Sequence, residues 1–168
     1  MLLTVIGAPG SVEDAGYHEQ FAGYVASLAA GGADAIEIWN EPNIARDWPA
    51  GKISPETYIQ ILSSSYPAIK SANPDTLVIS AAQAATLVSK SLRTANYWTE
   101  VDYTTEFVLA GGLLYADCIG VHYNIGISAP FNTDDSLTGD AAFWFLPRIL
   151  QHYATVTNGT RPVCITEL

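Results

Sequence analysis

Apolar positions follow two rhythms along the chain. Short runs of five or six, LLTVI (2–6), DAIEIW (34–39), TLVISA (76–81), DCIGVH (117–122) and PVCIT (162–166), have the length and β-branched content of buried strands. Between them, apolar residues recur at helical spacing. Phe21, Tyr24, Val25 and Leu28 predict one face of a helix over 17–30, closed by Gly31-Gly32. Ser54-Pro55-Glu56 combines a capping hydroxyl, a first-turn proline and an acid near the positive end of the dipole. It predicts a helix over 55–71 with Tyr58, Ile59, Leu62, Tyr66 and Ile69 on its face and a kink at Pro67. Further helices are expected over 103–115 and 141–156, the latter kinked or delayed by Pro147.

A strand-then-helix repeat at this spacing predicts an α/β fold with a parallel sheet. Two such architectures compete. A doubly wound nucleotide-binding sheet would carry a glycine-rich loop after its first strand, but GAPGS (7–11) lacks both the GxGxxG spacing and a lysine. A TIM-type (β/α)8 barrel places polar residues at the C-terminal ends of several strands. Here the strands run into Asn40-Glu41, Gln83, His122-Tyr123-Asn124 and Glu167.

Composition narrows the partners. Seven basic and seventeen acidic residues give a net charge of −10, a surface that repels phosphate backbones and argues against nucleic acid. Nothing approaches the roughly 18 apolar residues of a membrane span. The apolar start has no basic n-region, so it does not read as a signal peptide, and localisation stays open. No His or Cys cluster suggests a metal, and no cofactor motif is present. The Asn158-Gly159-Thr160 sequon is a weak glycosylation signal.

In a barrel all C-terminal strand ends open onto one cleft, so Glu41 and Glu167 can face each other across it. Two carboxylates roughly 5–5.5 Å apart are what retaining glycoside hydrolysis requires, one as acid and one as nucleophile. Their proximity helps to split their pKa values.

EIWNEPN (37–43), IGVHYN (119–124) and PVCITEL (162–168) together resemble the clan A (β/α)8-barrel retaining glycoside hydrolases, a group of cellulases, mannanases, xylosidases and glucosidases. YPAIKSANPD (66–75) adds to a likeness nearest families 5 and 39 and spanning the whole chain. The resemblance implies hydrolysis of β-glycosidic bonds in oligo- or polysaccharides without a cofactor. It makes Glu41 the acid/base, Glu167 the nucleophile and Asn40 the partner of the sugar 2-hydroxyl. It points to His122 and Tyr123 as holding the nucleophile and sugar, although the family's His-any-Tyr spacing is replaced by His122-Tyr123-Asn124.

Each assignment has a structural rival. Glu41 could be a loop acid, Glu167 an exposed terminal acid, Asn40 a turn residue and His122 a core histidine. Glu37 alternates with Ile36 and Ile38 and reads as a buried core acid, not a catalyst. Trp48 and Trp98, in βα loops, are candidate sugar platforms, with Trp39 and Trp144 less favoured. If Glu167 and His122 both point inward, Cys118 shares that face and Cys164 takes the opposite one, so the cysteines would not bridge unless a bulge intervenes.

Five strands are fewer than the eight, over roughly 250 residues, of a closed barrel. By the resemblance they are the third to seventh. The expectation is a single partial barrel domain over 1–168, whose edges need covering. The missing strands would come from a longer natural chain, from another polypeptide or from self-association. Met1, read as a start inside a barrel sequence, favours the first. A rival functional class is a catalytically inert carbohydrate-binding module.

Overall fold

The computed structural model describes residues 1–124, 132, 140 and 145–168. The expected helix residues 141–144, and with them Trp144, lie outside the described residues.

Five parallel strands, β1 (Leu2–Val5), β2 (Ala35–Ile38), β3 (Leu77–Ser80), β4 (Cys118–His122) and β5 (Val163–Glu167), form one sheet in sequential order. Among the described residues four helices connect them: α1 (Ala15–Ala30), α2 (Pro55–Ala72), α3 (Glu100–Leu109) and α4 (Leu146–Val156). Each helix packs beside the next, α1 on α2, α2 on α3 and α3 on α4. Sequential order without a reversal is the winding of a barrel wall, and it rules out the doubly wound alternative. The fold is an incomplete α/β barrel, a curled half-barrel with helices between the strands.

Local chemistry sets the boundaries. Asp14 caps α1, accepting from Gly16 N (2.8 Å) and Tyr17 N (3.4 Å), so the helix starts two residues before Tyr17. Ser54 caps α2 through Thr57 N. Pro67 does not end α2, which continues to Ala72. The helix expected over 103–115 is split: α3 stops at Leu109, Gly111 turns at φ 85°, and a 3-10 turn covers Gly112–Tyr115. Pro147 sits in the first turn of α4, where its missing N–H costs nothing.

The core lies between sheet and helices. Phe21, Val25, Ile36, Ile38, Tyr58, Ile61, Leu62, Ile69, Val78, Phe107, Ile119 and Val121 are buried there. Tyr24 is not: it is 57% exposed, one position off the buried stripe of α1. Tyr58 sends its hydroxyl to the sheet, donating to Ile38 O (2.8 Å) and accepting from Ala81 N (2.6 Å). It thereby satisfies backbone groups where β2 and β3 end, and burial pushes its phenol far up.

Cys118 and Cys164 form a disulfide across β4 and β5, with Cα atoms 5.9 Å apart, which corrects the expectation of unpaired cysteines. The ladder explains it. Cys164 lies opposite Gly120, so it shares the inner face with Cys118. The register then slips between Val121 and His122, and His122 pairs with Glu167 instead of Thr166. This bulge, one extra residue in β5, breaks the alternation on which the parity argument rested. A link spanning 46 residues contributes about 4 kcal/mol by loop-closure entropy.

Glu100, at the start of α3, is only 2% exposed, and its Oε2 has no hydrogen-bond partner among the described residues. Burial pushes its carboxyl up to about 7, from 4.5. The folded state therefore holds this proton more tightly than the unfolded chain. Its contribution to stability is full below pH 4.5 and is lost as pH rises to 7. Glu100→Gln should stabilise the fold by about 3 kcal/mol at pH 8 and change little at pH 4. Thermal unfolding at the two pH values checks this, and equal effects at both would refute it.

Candidate active site

The site forms at the C-terminal ends of β2, β4 and β5. After Ile38 the chain leaves the strand abruptly. Trp39 and Glu41 adopt positive φ (76° and 40°), a conformation that costs non-glycine residues and persists only when the surroundings enforce it. They do so here. Trp39 N bonds Val5 O (2.8 Å), and Glu41 N bonds Ala82 O (3.0 Å). The Trp39 ring is fully buried between Phe21 and Trp48, and its Nε1 donates to Asp47 O (2.9 Å). A Cβ on Gly7 would lie 2.5 Å from the Trp39 ring, so only glycine admits it there. Asn43, fully buried, bonds Ala84 N, Ala84 O and Trp98 O and so holds the loop after β3 against the loop after β2.

The bend turns Glu41 into the cleft, where it is 4% exposed. His122 Nδ1 donates to Glu41 Oε1 (3.0 Å) and stands 3.6 Å from Glu167 Oε2. Donor atoms of Glu41, His122 and Glu167 all lie within 4.8 Å of one another. Asn124 Nδ2 donates to Glu167 Oε2 (2.8 Å). The fold thus brings the two carboxylates together across the cleft. Such a trio has the donor types of a cation site, but the Arg46 guanidinium already pairs with Glu41 Oε2 beside it and supplies a positive charge there.

Arg46 Nη2 also lies 3.0 Å from Asp47 Oδ2, and Asp47 accepts from Asn40 Nδ2 (3.0 Å). Asn40 is 8% exposed, and its Oδ1 is buried without a hydrogen-bond partner among the described residues. The His122 hydrogen bond holds the Glu41 carboxyl below the usual glutamate range; burial opposes this, and the Arg46 charge reinforces it. An acid/base role for Glu41 calls instead for a protonated carboxyl at the start of the reaction. A depressed value stabilises the fold above the pH where an unfolded glutamate titrates, and that contribution is lost as pH falls through the lower folded value. Arg46→Met should raise the Glu41 titration, followed by carboxyl carbon-13 NMR. An unmoved titration would show that Arg46 does not hold the carboxylate.

The remaining sequence candidates divide. His122 faces the cleft. Tyr123 does not: alternation turns it to the helix side, where it is 3% exposed in the core, and Asn124 takes the position beside Glu167. Trp48 is 1% exposed, wedged between Trp39 and Tyr58 with its Nε1 on Lys52 O, and offers no face to a ligand. Trp98 is half-buried, and the Arg93 guanidinium stacks 4.4 Å from its ring centre. Gln83 turns away to the helices, its Oε1 accepting from Thr104 and Tyr153. Sequence reasoning overlooked Arg46 and Asp47, and named Asn124 only as a strand-end polar residue without a role. Asn124 was accessible through its i, i+2 spacing from His122. Arg46 was accessible as one of only seven basic residues, three positions beyond NEPN.

The parallel half-barrel with its polar groups at the C-terminal strand ends places the chain among TIM-barrel folds. No family model matches the sequence, and no curated protein matches it. Among solved structures, it is similar to a GH128 (subgroup II) endo-β-1,3-glucanase from Sorangium cellulosum, with a TM-score of 0.57 and 19% identity over 96% of this chain. The chain spans about half of that structure, 53% of its length. The likeness is to a glycoside hydrolase barrel, and it does not extend to the families 5 and 39 to which the sequence motifs pointed.

Proposed function

We propose that this chain carries the catalytic pair of a retaining β-glycoside hydrolase, with Glu41 as acid/base and Glu167 as nucleophile. The observation that carries this reading is the pairing itself: carboxylate oxygens from strand ends 126 residues apart come within 4.8 Å, bridged by His122. Glu167, at the open side of the cleft and oriented by Asn124, attacks the anomeric carbon. Glu41 delivers a proton to the leaving oxygen and then takes one from water. The resting geometry suits the second step, since an ionised Glu41 is ready to act as base. Protonation for the first step requires Arg46 to leave Oε2, and its side chain is 66% exposed and free to do so. Asn40 Oδ1, which has no partner among the described residues, is the acceptor for a sugar hydroxyl. The structural likeness makes β-1,3-glucan the first substrate to test. Proton NMR of the initial products should show the β-anomer. An α-anomer as first product would sink the retaining assignment.

A second reading is favoured by one observation. The open edges leave Leu2 44%, Ile6 50% and Ile165 41% exposed, and the chain matches about half of the glucanase. A cleft on such a half-barrel would bind oligosaccharide without turning it over. Binding by calorimetry with no released sugar would favour this reading over hydrolysis.

A further inference from the structure

Glu37 is fully buried inside the curl of the sheet, and among the described residues no basic side chain comes within hydrogen-bond distance of it. Its carboxylate instead collects neutral donors from around the sheet. Oε2 accepts from Thr4 Oγ1 of β1 (2.7 Å). Oε1 accepts from Ala82 N, just past β3 (3.0 Å), and from Thr166 Oγ1 of β5 (3.0 Å). On β4, His122 Nε2 stands 4.0 Å away with no hydrogen-bond partner among the described residues. β4 also gives up a side chain to let the carboxylate pass. A Cβ on Gly120 would lie 3.0 Å from Glu37 Oε1 and 2.3 Å from Ser80 O.

An apolar side chain would fill this space without the cost of burying an acid. What it cannot do is hold a directed bond to Thr166. That residue is the extra one in the β5 bulge, left out of the ladder between Ile165 and Glu167. Strand alternation allows only every second residue of β5 to face inward, yet Thr166 and Glu167 both do so. If the bulge were lost and the ladder ran on regularly, Thr166 would pair with His122 and Glu167 would turn to the helix side. Among the described residues, the Glu167 side chain, 48% exposed, is otherwise held by Asn124 and His122.

We infer that Glu37 is a positioning residue: through Thr166 it pins the β5 bulge and thereby aims Glu167 at Glu41. This rests on the catalytic reading of Glu167 for its consequence but not for its geometry. The test uses Thr166→Val, which keeps shape and loses the hydroxyl, with Thr166→Ala as a second such variant and Thr166→Ser to restore it. The side-chain amide resonance of Asn124 reports where Glu167 points, with Glu167→Ala marking the position of the unbonded amide. Val or Ala at 166 should move the resonance to the Glu167→Ala position, and Ser should leave it at the wild-type position. In hydrolysis, kcat should fall about a hundredfold with KM little changed, as expected for a misaimed reacting group, and Ser should recover it. A wild-type Asn124 resonance in the folded Val or Ala variant overturns the inference. An Asn124 response as expected, in a wild-type chain that releases no sugar from any β-glucan, supports the positioning role and counts against the hydrolase reading.

Discussion

Glu167→Gly is expected to abolish hydrolysis of an activated aryl β-glycoside and to regain turnover when azide is added. The lost rate should exceed the roughly 10⁴-fold upper range of acid–base catalysis, because removing the nucleophile removes the covalent intermediate altogether. The glycine leaves a space at the cleft wall where Asn124 and His122 still present hydrogen-bond donors. Azide is small and anionic, and it can attack the anomeric carbon from that side. The product should be the α-glycosyl azide, of inverted configuration, identified by its anomeric proton coupling. Undiminished activity in the glycine variant would remove Glu167 from the mechanism.

Glu41→Ala should separate the two half-reactions. On an oligosaccharide, whose leaving group needs a proton, kcat should fall by about 10²–10⁴-fold. On a dinitrophenyl glycoside the leaving group departs unaided, so the first step should survive and the glycosyl-enzyme should accumulate as a burst. Azide should then accelerate turnover and give the β-glycosyl azide, the opposite anomer from the Glu167 variant. The same anomer from both variants would contradict the assignment of roles. A loss of equal size on both substrates would point to a structural part for Glu41. Its bonds to His122 and Arg46 make that the natural alternative.

Much of this molecule is determined locally. Strand and helix positions follow from residue types: Ser54-Pro55 starts α2 where a cap and a first-turn proline must, and the apolar runs at 34–39 and 117–122 become buried strands. The repeat length of the βα units was enough to indicate a parallel sheet, and the polar strand ends pointed to a barrel wall. Glu41, Asn40, His122 and Glu167 were recognisable as strand-end polar residues, because such positions share one face whenever parallel strands curl together.

Other features depend on how strands register against each other, which residue types do not encode. Alternation along β5 alone separates Cys164 from Glu167, and a one-residue bulge against β4 is what lets both face inward. The Trp48 ring could have lined the cleft by loop position, and only packing against Trp39 and Tyr58 withdraws it. Likewise Glu37 is visible in sequence as an acid in an apolar strand. That its carboxylate joins β1, β3 and β5 requires Thr4, Ala82 and Thr166 to converge over a glycine on β4. Local sequence thus sets which chemistry each strand end carries. Long-range register sets which of those groups meet, because hydrogen-bonded pairing between distant strands decides the direction of every side chain on them.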